Sequence, residues 1–84
     1  MNVMATKDWK RKKSGNPYVP YSWINTSKGL LLEVHYDIGF GKQRNVTLYN
    51  YRNQLYSGFE EIKTWRFDNE QDAVKLAKSY MERN

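Results

Sequence analysis

GLLLEVHYDIG, residues 29–39, reads as a strand along its whole length. Leu30, Leu32, Val34, Tyr36 and Ile38 alternate with Leu31, Glu33, His35 and Asp37. A period of two marks a half-buried strand, because successive side chains leave opposite faces of a sheet. One face is apolar and the other mostly polar. Gly39-Phe40-Gly41-Lys42 then supplies two residues tolerant of positive φ, a hairpin signal, and Arg44 to Tyr51 returns as a second strand. In that strand Val46 and Leu48 join the apolar face. Thr47, Tyr49 and Tyr51 fall beside Leu31, Glu33 and His35.

Working outward, EEIKTWRF at 60–67 places Ile62, Trp65 and Phe67 out of strict alternation, which predicts a short strand with a bulge. PYVPYSWIN at 17–25 carries two prolines, suited to an edge strand or extended segment rather than a central strand. From Asp68 the period changes. Ala73, Leu76, Ala77, Tyr80 and Met81 form one stripe of a helix, with Asp68 or Asn69 available as its cap. Glu70 and Asp72 suit the positive N-terminal end, Lys78 and Arg83 the negative C-terminal end. Lys75, Lys78, Ser79 and Glu82 make an ordinary solvated face. The expected fold is α+β, an antiparallel sheet of three to four strands with one C-terminal amphipathic helix packed on one face.

Charge divides the chain unevenly. Residues 1–28 hold Lys7, Lys10, Arg11, Lys12, Lys13 and Lys28 against Asp8 alone, whereas residues 29–84 are balanced, so the whole net charge of +5 lies in the first third. We therefore read residues 1–16 as a basic flexible arm and 17–84 as a single sheet-plus-helix domain. A basic segment on a neutral body points to an acidic partner, most often nucleic acid. The 84 residues contain no cysteine and one histidine, which excludes a disulfide framework, a zinc knuckle and a cysteine nucleophile. No cofactor or metal is expected. With no long apolar run and no signal-like start, a cytoplasmic location is expected and a membrane partner is not.

Catalysis has one constellation to weigh. Glu33 and His35 share a strand face, with Arg44, Tyr49 or Tyr51 nearby, and metal-free ribonucleases use a carboxylate, an imidazole and a cation in this way. Same-face neighbours of any amphipathic strand lie about 7 Å apart, so the spacing alone does not select that chemistry. No phosphate-binding glycine loop, metal-ligand spacing or nucleophile elbow appears. The chain reads as a non-enzyme.

Binding is better supported. Thirteen aromatics exceed what so small a core hides, and several alternate with cations, the composition of a platform on which rings stack on unpaired bases while cations hold phosphates. The expected nucleic-acid-binding residues are Lys7, Trp9, Lys10, Arg11, Lys12 and Lys13 in the arm, with Arg44, Tyr49, Tyr51, Arg52, Lys63 and Arg66 extending the track across the sheet. Tyr56 and Phe59 are expected in an exposed loop at 53–58.

KTWRFDNEQDAVKLAKSYMER at 63–83, a last strand with an aromatic followed by Phe-Asp and a helix, resembles the ending of the three-stranded-sheet-plus-helix domains of plant AP2-type transcription factors and of phage integrase arm-binding domains. That resemblance implies a sheet which enters the DNA major groove. Those families line the base-reading strands with Arg and Trp, whereas Glu33, His35 and Asp37 stand here, so RNA or single-stranded DNA is expected in preference to a duplex site. In size and composition the chain also looks like small phage accessory and anti-defence proteins. The alternative is accordingly an inhibitor that binds a host defence protein or nuclease through its basic arm and exposed rings.

Overall fold

The computed structural model describes residues 8–36, 43–56 and 58–84. Five strands form one antiparallel meander in chain order: β1 (Lys10–Arg11), β2 (Tyr21–Asn25), β3 (Leu30–Tyr36), β4 (Arg44–Leu55) and β5 (Gly58–Phe67). A single helix, α1 (Glu70–Arg83), follows. The α+β architecture with a C-terminal helix is as the periodicities require, with five strands rather than three or four. The hairpin expected at Gly39-Phe40-Gly41-Lys42, with Asp37 and Ile38 before it, lies outside the described residues.

The register fixes the two faces. Leu32 pairs with Trp23 and Leu48, and Val34 with Tyr21 and Val46, so these side chains share one face. Helix α1 lies across that face, touching β3, β4 and β5, and brings buried Ala73, Ala77 and Met81 onto buried Leu32, Val34, Val46 and Leu48. The small alanines let the helix backbone approach, while Leu76, Val74 and Tyr80 close the sides. Asn69 caps the helix, its Oδ1 accepting from the Asp72 N–H at 2.8 Å, and extended backbone there at φ −146° ends the preceding strand.

Two expectations change in the structure. β2 lies between β1 and β3, not at an edge, because Pro17 and Pro20 both precede Tyr21 and leave the ladder positions free of proline. The 53–58 segment is no open loop: β4 runs to Leu55, which pairs with Gly58 of β5. Its polar composition reflects exposure of both faces of a projecting hairpin, where Tyr56 is fully exposed. The bulge expected in β5 is present, with the register slipping between Leu48–Lys63 and Tyr49–Glu61 so that Ile62 is extra and half exposed.

The basic segment is also placed differently from an independent arm, as far as it is described. Trp9 is only 6% exposed and inserts beside the core, edge-on to Tyr80 at 6.2 Å between ring centroids, and Tyr80 meets Trp65 on its other side. Lys10 and Arg11 then pair with Ile24 and Trp23 as the outermost strand. One buried indole therefore ties the cationic run to the sheet.

Candidate nucleic-acid interface

The face away from α1 has no second layer among the described residues; we call it the open face. Cross-strand pairing arranges it as a grid. Lys10, Ile24, Leu31, Tyr49 and Glu61 form one row; Ser22, Glu33, Thr47 and Thr64 form the next, and the Lys12 N–H, donating to the Ser22 carbonyl at 2.7 Å, extends that row to the edge. His35, Asn45 and Arg66 make a third. Thr47, at 1% exposure, is walled in by its longer neighbours. Its Oγ1 lies 2.8 Å from His35 Nε2 and 3.0 Å from Thr64 Oγ1, a polar chain across three strands.

At one side of this grid the segment from Lys12 to Pro20 folds back as a braced loop. Ser14 Oγ donates to the Val19 carbonyl at 2.7 Å and accepts from the Asn16 N–H at 3.2 Å, while Asn16 Oδ1 accepts from the Tyr18 N–H at 2.9 Å. These bonds hold open a cleft of about 670 Å³ lined by Arg11, Lys12, Lys13, Ser14, Asn16 and Val19, among others. Three cations at the rim of this concavity suit an anion such as a backbone phosphate.

The twelve expected binding residues divide sharply. Lys7 lies outside the described residues. Trp9 is a core residue, so its ring is not available to stack on a base. Lys10, Lys12 and Lys13 are exposed at the β1 edge. Arg11 is exposed too but lies toward the helix side, its guanidinium 4.9 Å from the Tyr21 ring centroid and 5.6 Å from that of Trp23, two rings themselves stacked. Tyr49 and Tyr51 are half-buried in β4. Tyr49 sits beside Glu33, and burial followed by that carboxylate raises its hydroxyl pKa. Tyr51 packs edge-on against Phe59 at 6.4 Å. Arg66 is exposed on the open face, opposite Asn45.

The remaining three leave the track. Arg44 pairs with Tyr36 and Phe67 on the helix side, its guanidinium 4.0 Å from the Tyr36 ring centroid. Lys63 follows the bulge onto the same side and lies over Trp65 at 5.2 Å. Arg52 reaches back to the β2–β3 turn, donating to the carbonyls of Thr26 at 2.7 Å and Ser27 at 3.1 Å. It also covers Gly29, whose φ of +70° and close approach to the Arg52 side chain leave no room for a Cβ. These cations act in the fold.

Residues outside the expected binding set fill the open face: Ser22, Thr47, Asn45 and Thr64. Their only prior signal was position opposite the apolar set. Burial raises the Glu33 carboxyl pKa and nearby Lys12 draws it partly back. Among the described residues no group of three His, Cys, Asp or Glu is arranged to hold a metal ion, and no helix is long and apolar enough to cross a membrane. No protein family, curated protein or solved structure matches this chain.

Proposed function

We propose that this protein is a non-enzymatic binder of single-stranded nucleic acid, RNA or DNA, acting in the cytoplasm. The observation that carries the reading is the placement of Lys10, Lys12 and Lys13, exposed and joined to the sheet edge through β1 and buried Trp9, directly beside the face that bears Tyr49 and Tyr51 and has no second layer among the described residues. Phosphates are held at that edge and in the braced cleft, Arg66 lies at the far side, and unpaired bases lie over the sheet. Fixing cations on a strand lowers the entropy lost on binding relative to a free tail. A major-groove mode like that of AP2-type domains fits less well, because Glu33 occupies the middle of the face that would approach the duplex. Catalysis through Glu33 and His35 is disfavoured by the removal of Arg44 to the other side and by the engagement of the His35 Nε2 with Thr47.

A second reading, a phage inhibitor of a host defence protein, is favoured by one observation. Leu55, Tyr56 and Phe59 are exposed at the projecting β4–β5 hairpin and Ile62 follows on β5, an apolar set suited to a protein contact. Salt separates the two readings. In anisotropy titrations with labelled mixed-sequence RNA and DNA strands, log K should fall with log salt by about 0.7 per phosphate contact. Replacing Lys10, Lys12 and Lys13 together by Gln should weaken binding at least tenfold and flatten that slope by about 2, with the melting transition nearly unchanged. Unaltered affinity and slope would remove the edge from the binding site.

A further inference from the structure

Glu33 is the middle position of the open face. It pairs with Ser22 on one side and Thr47 on the other, with Leu31 and His35 above and below it on β3 and Tyr49 and Asn45 at the diagonals. Its carboxylate makes no hydrogen bond to any described residue. A carboxylate repels phosphate, so a strand crossing this face must turn its bases toward Glu33 and its backbone toward the edges. The surroundings deepen the asymmetry: Ser22 Oγ and Asn45 Oδ1 are buried oxygens without a hydrogen-bond partner among the described residues. Among the described residues, the cation whose charge acts on the Glu33 carboxylate is Lys12, toward the β1 edge.

Resting on the single-strand reading above, we propose that this centre selects guanine, with Glu33 accepting the N1–H and N2–H donors of a guanine whose ring lies against Tyr49. Guanine alone among the four bases presents two adjacent N–H donors on its Watson–Crick edge, matching the two oxygens of a carboxylate. Adenine and cytosine set one amino donor beside a ring-nitrogen acceptor that the carboxylate repels. Uracil and thymine offer one N–H between two carbonyls. In an unpaired strand that edge is open to be read, and a bidentate pair of this kind discriminates by about 5- to 150-fold. The partial desolvation that raises the Glu33 pKa also strengthens a hydrogen bond made to its ionised form.

The test uses labelled octauridylates that carry one central G, A, C or U, titrated by anisotropy at neutral pH. The G strand should bind about 5- to 150-fold more tightly than the other three. Inosine in place of guanosine, lacking the N2 amino group, should lose most of that gain without any change to the protein. Glu33→Gln, isosteric but with one oxygen replaced by a donor, should bring the four strands within about threefold of one another while keeping or improving affinity for the all-uridine strand, since a repulsive charge has gone. Equal wild-type affinity for all four strands overturns the guanine assignment and leaves single-strand binding standing. Retention of the preference in Glu33→Gln, or by inosine, overturns the role of the carboxylate. Absence of binding to every strand defeats the underlying reading as well.

Discussion

The two faces of this sheet are built from the same three strands and differ in what covers them. On the helix face, Leu32, Val34, Val46 and Leu48 are sealed by Ala73, Ala77 and Met81. On the open face, Ser22, Asn45 and Thr47 are equally inaccessible, yet no second layer lies over them among the described residues. Apolar burial against a helix stabilises the fold at about 25 cal/mol per Å². Burial of hydroxyl and amide groups does not, and two of those oxygens go without a partner among the described residues.

The comparison breaks most readily at the helix face. Trp9→Ala should cost about 3–5 kcal/mol and Leu32→Ala about 2–5 kcal/mol, because each removes a buried side chain and leaves a cavity. In urea titrations of so small a domain either change should shift the midpoint strongly or abolish the folded baseline. A Trp9→Ala protein with wild-type stability would show that the indole does not hold the basic segment to the sheet.

On the open face the same operation should spare stability and affect binding. Tyr49→Ala should weaken single-strand affinity by about 5- to 150-fold, the equivalent of one base–aromatic stack, with a smaller effect for Tyr51, whose edge-on contact with Phe59 holds its ring. The salt slope should remain as in the wild type, since no phosphate contact is lost. Duplex DNA, with its bases already stacked, should respond least. A Tyr49→Ala protein that unfolds while still binding would transfer Tyr49 to the structural side of the comparison.

The finest distinction is in pH. Burial raises the Glu33 pKa, so the folded protein holds that proton more tightly than the unfolded chain, whose carboxyl titrates near about 4.3. Stability should therefore fall as pH rises from the unfolded value through the raised folded one, opposite in sign to a salt-bridged acid. Glu33→Gln should remove this slope and leave the protein slightly more stable at neutral pH, by less than about 1 kcal/mol given how much solvent reaches the group. Urea midpoints of the two proteins at pH 4 and pH 7.5 measure it; a variant less stable than wild type at pH 7.5 would mean that the carboxylate holds the fold together.

How far the sequence alone led differs between these regions for physical reasons. The alternation of residues 30–36 and the return through Val46 and Leu48 are strict, and both faces follow from them. The helix is marked three times over, by its stripe, its Asn69 cap and its charge order. The basic segment escaped because a single buried ring has no period: Trp9 beside four cations reads as a tail until Tyr80 is placed against it. Arg44 and Lys63 lie on the helix side rather than with the other cations of the expected track, Lys63 because a bulge at Ile62 shifts every later residue of β5 by one face. The contacts of Arg52 are not legible in the sequence because its partners are carbonyls of a turn some 25 residues away. Ser22 went unmarked, and Thr47 was given a face but no role, since small polar residues carry no chemistry until neighbours give them an environment.

The central claim is that nucleic acid lies on the open face with its backbone at the β1 edge. It is tested most directly by titrating isotopically labelled protein with a short single strand and following the amide and side-chain resonances by NMR. The account predicts the largest shifts at Lys12, Lys13, Glu33, Thr47, Tyr49 and Arg66, with α1 nearly unmoved. Shifts confined to Lys75, Lys78 and Glu82 on the solvent side of α1, or none at saturating strand, would contradict it.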